Sequence, residues 1–371
     1  MPPAPEPGPL EYPYSTTPPF GTTMEVAPGV RWLQMPLPMS LNHINLYALE
    51  DKDGWVLVDT GIRGEETRDL WSQIIANELG GKPVKRIICT HMHPDHTGQA
   101  GFLFETLRAP LAMSVNEYYQ ARSMSLMMRD GANWRMSQYF MNAGLSTDFL
   151  ESMRTASSKF SPQPDDYPLP GSFERLAEGD VLSIGHHEWQ ILVGCGHSPE
   201  HVCLYSRELG VLISGDQILP IITSNVSVSP SEPNGNPMPG WLESHERFKR
   251  ILPNDILVLP AHNAPFYGVQ ERLQYLIDHH EDRMLIIEEQ CQEPRTAMEL
   301  LPFLFKRKLE SFTLFMALGE AIAHIHCLMS RHRIERMLVG DVYHYRAIDP
   351  TLAYRARPLE HEAPDAAPIL I

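Results

Sequence analysis

The chain has 371 residues, 43% of them hydrophobic and 9% aromatic, and a formal net charge of −16. This composition excludes a fibrous or disordered polymer, and its sign disfavours a nucleic-acid partner, whose phosphates the average surface would repel. The length points to one large domain with an appendage, and five cysteines, odd in number and without a CxxC pair, are unlike a disulfide framework.

Residues 1–23 are proline-rich and are expected to form an extended arm, without the basic start and apolar segment of a secretory signal. A first domain is expected over residues 24–290. Its runs NLYALE, GWVLVDTG and VKRIICTH read as short strands ending in turns, and EETRDLWSQIIANELGG between the last two has helical spacing with a Gly-Gly stop. From about 102 to 171 the texture changes. Methionines (Met113, Met124, Met127, Met128, Met136, Met141, Met153) and aromatics (Tyr118, Tyr119, Trp134, Tyr139, Phe140) alternate with helix formers, which predicts a helical insert. It serves either as core packing or as an adaptable apolar wall over a substrate pocket, with Met127 and Trp134 as candidate substrate contacts.

Strand patterns resume in DVLSIGHHEWQILVGCGHSPEHVCLYSRELGVLISGD and in DILVLPAHNAPFYG. Two strand sets with helices on both sides predict an α/β sandwich. Residues 291–371 form the expected appendage: TAMELLPFLF and FTLFMALGEAIAHIHCLMS read as helices, and RIERMLVGDVYHYRA as a strand pair turning at Gly340-Asp341, the outline of a small winged-helix-like unit. From Arg295 onward ten basic residues face nine acidic ones, so this unit is no basic nucleic-acid reader. No uninterrupted apolar run reaches about 18 residues, and the expected setting is cytoplasmic, without a membrane partner.

The chemistry concentrates in THMHPDHTG, residues 90–98. His91, His93, Asp95 and His96 follow the apolar run RIIC, so they fan out where a strand ends; imidazole and carboxylate in such density are a preorganised metal half-site. Three more ligand types also terminate apolar runs: His197 in VGCGHSPEH, Asp216 in VLISGDQ and His262 in LVLPAHNAPF. Seven ligands suffice for two metals, with Asp216 as the natural bridge. With these residues the chain resembles the metallo-β-lactamase fold superfamily, over roughly residues 24 to 290. The resemblance implies an αββα sandwich holding two divalent ions, zinc before iron or manganese. It implies His91, His93 and His197 on one ion, Asp95, His96 and His262 on the other, and Asp216 shared. Asp59 in VLVDTG matches the family's early loop beneath the site. The branch it resembles is the glyoxalase II-like one with a C-terminal winged-helix unit.

Departures bear on the activity. Glu200 stands where the family's GHxxGH element has glycine, which leaves His201 as a supporting rather than a ligating residue. β-Lactamases that keep HxHxDH lack the bridging aspartate, and flavodiiron oxidases carry glutamate where His93 stands. The expected reaction is therefore hydrolysis of an acyl bond (ester, thioester or lactone) in a small molecule by a metal-bridging hydroxide. Asp95 and Asp216 are its catalytic carboxylates, and Tyr267 is a candidate oxyanion donor. A phosphodiesterase or ribonuclease of the same fold is the alternative, ahead of a β-lactamase or a non-enzymatic winged-helix regulator. His186, His187, His279, His280, His324 and His326 are read as surface or structural, and Cys195 as packing rather than a nucleophile. The apolar face Phe315, Leu318, Ile322, Ile325 and Met329 is expected to pack on the main domain or on a second subunit, which would make a homodimer.

Overall fold

Strands that are apolar on both faces need cover on both sides, and this chain has several: GWVLV, HVCLYS, VLISG and LVLP are buried at every residue. A computed structural model, which describes residues 10–38, 41–130, 133–151, 167–306, 308–309 and 311–349, stacks them in two sheets. The first sheet holds β1 (Met24–Ala27), β2 (Val30–Pro36), β3 (His43–Asp51), β4 (Gly54–Val58), β5 (Val84–Ile88), β6 (Leu111–Met113) and β7 (Glu174–Arg175), in that spatial order. It is antiparallel as far as β4 and parallel beyond. The second sheet runs β12-β11-β10-β9-β8, formed by β8 (Val181–Ile184), β9 (His187–Gly194), β10 (His201–Ser206), β11 (Val211–Gly215) and β12 (Leu257–Pro260), with only β11 and β12 parallel.

Three cores define the layers. Trp32, Tyr47, Val58 and Ile88 of the first sheet meet Trp189, Ile191, Leu204 and Ile213 of the second between the sheets. On the outer face of the first sheet, Leu46, Leu57 and Ile87 pack under Trp71 and Ile74 of α1 (Glu65–Asn77) and Leu103 of α3 (Ala100–Leu107). On the outer face of the second, Leu192, Cys203 and Val258 pack under Trp241 and Phe248 of α6 (Pro237–Ile251) and Leu273 and Ile277 of α7 (Val269–Gln290). Helix, sheet, sheet, helix is the expected order of layers.

The insert differs from expectation at its start. Residues 111–113 form β6, buried throughout and parallel to β5, so the extra helices begin only at α4 (Val115–Asp130) and continue in α5 (Trp134–Asn142). The chain ends, among the described residues, in α8 (Ala297–Leu304), α9 (Ser311–Ser330) and a hairpin of β13 (Ile334–Val339) and β14 (Val342–Ala347). Thr296 and Glu299 close a capping box on α8. The stretch Thr313–Ser330 of α9, interrupted by Glu320, His324 and His326, is on average long and apolar enough to cross a membrane, and 67% of it is buried inside this chain. Leu318, Ile322 and Ile325 join the core over the second sheet, so this face packs on the main domain.

Candidate metal centre

All seven expected ligands lie beyond the ends of four strands at one rim of the sandwich: β5, β9, β11 and β12. Pro94 starts the single turn α2 (Pro94–Thr97) with His93 as its N-cap, and this turn carries Asp95 and His96 inward. Two groups result. His91, His93, His197 and Asp216 have ligand atoms within 4.8 Å of one another, and so do Asp95, His96 and His262. Asp216 joins the groups, with Oδ2 3.5 Å from His197 Nε2 and Oδ1 3.5 Å from His262 Nε2. Gly215 brings it there at φ +51, and a Cβ at Gly215 would come 2.5 Å from the His201 ring.

The hydrogen bonds sort the imidazoles into one tautomer. Thr90 Oγ1 sits 2.9 and 3.1 Å from the Asp59 oxygens, so its hydroxyl donates there and is left to accept from His91 Nδ1 at 3.1 Å. His96 Nδ1 donates to Asp59 Oδ2 at 2.8 Å, His197 Nδ1 to the Asn225 carbonyl at 2.8 Å, and His262 Nδ1 to the His43 carbonyl at 3.2 Å. Four Nε2 lone pairs therefore converge on the centre, those of His91 and His197 only 3.2 Å apart. His93 Nδ1 stands 2.7 Å from His91 Nε2 and is the ligand on the half-buried, open side. All four oxygens of Asp95 and Asp216 are buried without a hydrogen-bond donor from the protein, as are His96 Nε2 and His262 Nε2. Bare lone pairs facing bare carboxylates are stable around cations, and the mixed nitrogen and oxygen set with one shared carboxylate fits two divalent ions. Burial pulls His96 down, yet Asp59, Asp95 and Asp216 outweigh it and hold its pKa well above the ordinary imidazole value, whereas burial and the neighbouring imidazoles depress His91 and His93.

Supporting residues fix this arrangement. His201 Nε2 accepts the Asp216 backbone N–H at 3.0 Å and its ring stacks on His91 at 4.7 Å, so it positions two ligands without pointing a lone pair at the centre. Asp59, at φ +64, holds the Thr90 N–H at 2.7 Å in addition to His96. Three further partners carry no ligand-type motif in the sequence. The buried Glu117 carboxylate clamps the N–H of Met92 at 2.9 Å and of Glu200 at 2.7 Å, tying the first ligand loop to the second, and burial pushes its pKa up to about 6. Asn225, which carries the carbonyl that orients His197, gives its side-chain N–H to Glu320 of α9 at 3.1 Å. The acid at the β6-to-α4 turn was a readable hint for Glu117; nothing local marks Asn225 or Glu320. Glu200, the departure from the family pattern, caps α4 by accepting the Asn116 N–H at 3.1 Å.

Other expected residues lie elsewhere. The Val258–Phe266 bridge turns Tyr267 into the core between the sheets beside Tyr14, and no contact ties it to the ligands, so the oxyanion-donor expectation lacks support. Trp134 is 69% exposed, with the Arg135 guanidinium 5.2 Å over its ring, and does not reach the ligands. Met127 lies on α4, but its side chain is outside the described residues. Cys195 is half-buried and gives its backbone N–H to Ser244.

His279, His280, His324 and His326 are buried, not on the surface. His279, His280 and Glu320 form a third ligand-like group, but its hydrogen bonds argue against an ion. Arg283 Nε donates to His279 Nε2, which leaves the proton of His279 on Nδ1 and a guanidinium beside the group. His324 Nδ1 donates to the Glu320 carbonyl, so its Nε2 accepts from His280 Nδ1 at 3.0 Å and only His280 Nε2 keeps a lone pair. One N–H, one lone pair and a carboxylate suit a bridging water.

Comparison with known proteins agrees with this geometry. The model of the metallo-beta-lactamase superfamily matches residues 40–262, and that of the metallo-beta-lactamase-like C-terminal domain matches residues 285–348. A beta-lactamase domain protein from Burkholderia ambifaria, known by its crystal structure, is 39% identical with a TM-score of 0.83, over 91% of this chain and 98% of that one. A metallo-beta-lactamase family protein from Thermus thermophilus is 26% identical with a TM-score of 0.70, over 87% and 100%. A probable metallo-hydrolase from Bacillus subtilis is 21% identical over 85% of this chain and 97% of its own.

Proposed function

Since the chain belongs to the metallo-beta-lactamase superfamily and is a metallo-hydrolase, we propose that it uses two zinc ions to cleave an acyl bond of a small molecule, a thioester ahead of an ester or lactone. The observation that carries this reading is the position of Asp216 between the two ligand groups, with Oδ2 3.5 Å from His197 Nε2 and 3.6 Å from His96 Nε2, and Oδ1 3.5 Å from His262 Nε2. When bound, two divalent ions supply an activated water at neutral pH and a Lewis acid for the carbonyl oxygen. The chain does the rest. The Nδ1 anchors orient the ligand imidazoles so that their Nε2 atoms face the centre, and Asp95, with Oδ2 3.4 Å from His262 Nε2, is placed to orient a water and carry its proton to the leaving group. Residues on the open side, around His93, admit the substrate.

Relatives support the bond class. Acyl-coenzyme A thioesterases of Gallus gallus and Homo sapiens are 23% and 22% identical over 51% of this chain, and an atrochrysone carboxyl ACP thioesterase of Aspergillus fumigatus is 21% identical over 70%. A hydroxyacylglutathione hydrolase of Maricaulis maris matches 85 residues only, thin support for that branch. The acidic composition and free cysteines fit a cytoplasmic enzyme acting without nucleic acid or membrane. A homodimer would need a surface other than the buried face of α9.

Metal analysis together with a panel of thioesters, lactones, β-lactams and phosphodiesters tests the reading. Two ions per chain and turnover of thioesters or esters are expected. Cleavage confined to phosphodiesters, with salt-sensitive RNA binding, would replace it with the nuclease alternative.

A further inference from the structure

A second cleft lies away from the metal centre, where α5 of the insert meets α9 and the terminal hairpin. Its volume is about 190 Å³, and its wall includes Arg135, Gln138, Asn142, Asn234, His326 and Arg336. Among the described residues no aspartate or glutamate lines it, although the chain carries a net charge of −16. Among the described residues neither arginine is paired with a carboxylate. Arg336 lies 4.3 Å over the Tyr343 ring, opposite Tyr345 in the hairpin register, and Arg135 rests on Trp134. The hairpin's own acid, Glu335, is held by Arg346. Other polar groups brace the walls. Asn142 donates to the Asp341 carbonyl at 2.7 Å, His326 Nδ1 to the Gly235 carbonyl at 2.7 Å, and Tyr139 to the Val228 carbonyl at 2.7 Å.

Two guanidiniums stacked on aromatic rings, with amides beside them and, among the described residues, no carboxylate partner, form an arrangement that selects a multiply charged oxyanion. A cleft of this size takes a head group rather than a whole drug-sized ligand. We propose that it is a binding site for the phosphate group of a small molecule. That phosphate belongs either to the carrier end of a phosphate-bearing thioester, an assignment that rests on the acyl-hydrolase reading, or to a free phosphate compound acting as an effector.

The test titrates the metal-loaded full chain with 3′,5′-adenosine diphosphate and with inorganic phosphate in a calorimeter, wild type against the double variant Arg135→Gln/Arg336→Gln. Phosphate affinity of the metal centre is common to both proteins, so the difference reports the cleft. A salt-sensitive binding event in the wild type, weakened about tenfold or more in the double variant, is the expected result. Arg336→Lys, which keeps the charge, should retain part of the binding. Unchanged hydrolysis of a phosphate-free acyl ester shows that the double variant is folded. Identical isotherms for wild type and double variant, or no saturable binding of either probe beyond the metal centre, overturn the proposal. With the site established, a raised KM and unchanged kcat of the double variant on a coenzyme A thioester assign the phosphate to the substrate, and an unchanged KM assigns it to an effector. If no acyl bond is cleaved at all, the acyl-hydrolase reading fails while the calorimetry still decides the cleft.

Discussion

The rim of the sandwich and the terminal helices handle buried polar groups in opposite ways. At the rim, carboxylates and imidazole lone pairs face one another with no protein donor between them. Around α9, the imidazoles of His280 and His324 and the carbonyl of Glu320 satisfy each other in sequence, which leaves His279 Nδ1 as a donor and His280 Nε2 as an acceptor for a water rather than a set of lone pairs for an ion. Both regions are histidine-rich and both look like ligand clusters by composition. Only the direction of the hydrogen bonds separates a site that calls for cations from a core that has no use for them.

The largest effect expected from that contrast is at Asp216. Asp216→Ala should remove metal from both groups and lower turnover by more than about a thousandfold, read as metal per chain and kcat, whereas His280→Ala should leave metal content unchanged. A variant at His280 that lost metal would break the contrast. Next comes the bridge between the two regions. Glu320→Gln should weaken zinc binding about tenfold in a chelator competition and shift the absorption of the cobalt-substituted protein, because it loosens the Asn225 carbonyl that orients His197. Unchanged affinity and spectrum would make Glu320 purely a packing residue.

Acid should damage the helical core before neutral pH is far behind. Burial holds the imidazole of His245 down to about 4 and that of His324 down to about 3, and it depresses His279 and His280 as well. A depressed folded-state value means that the unfolded chain takes up protons first, so stability present above about 6.5 is lost as pH falls. Glu117, raised to about 6, opposes this, as do His96 and His262 of the metal-free centre, since the protonated form of each is the one favoured by folding. His245, His324 and Glu117 together should account for a loss on the order of 2 kcal/mol between pH 7 and 5.5, read by urea denaturation of the metal-free chain. A flat profile would mean these imidazoles are open to water. The smallest effect is expected at the insert tip: Trp134→Ala should change hydrolysis of a phosphate-free ester by less than about twofold, since the side chain is mostly exposed and far from the ligands.

The clustering of the candidate ligands was legible because they follow the ends of strands, and a strand's end fixes where the next few side chains can go. His91, His197, Asp216 and His262 all follow that rule, and the αββα layering follows from the same apolar runs. What lay hidden depends on contacts between residues distant in sequence. Asn225 and Glu320 are 95 positions apart, and Glu117 reaches Glu200 across 83. The placement of Tyr267 was not legible because the 258–266 bridge, invisible to a count of residues after His262, decides which way that side chain turns. The strand at 111–113 was absorbed into the insert because a three-residue apolar run resembles helix core when read alone.

The hydrogen bond from Asn225 to Glu320 also has an evolutionary reading. It crosses from the segment matched by one family model to the segment matched by the other. A recombination that exchanged the C-terminal segment for one without an acid at that place would strand the Asn225 amide beneath the metal loop. The two segments should therefore be inherited together, and chimaeras that join them from different lineages should be viable only where this pair of residues travels as a unit.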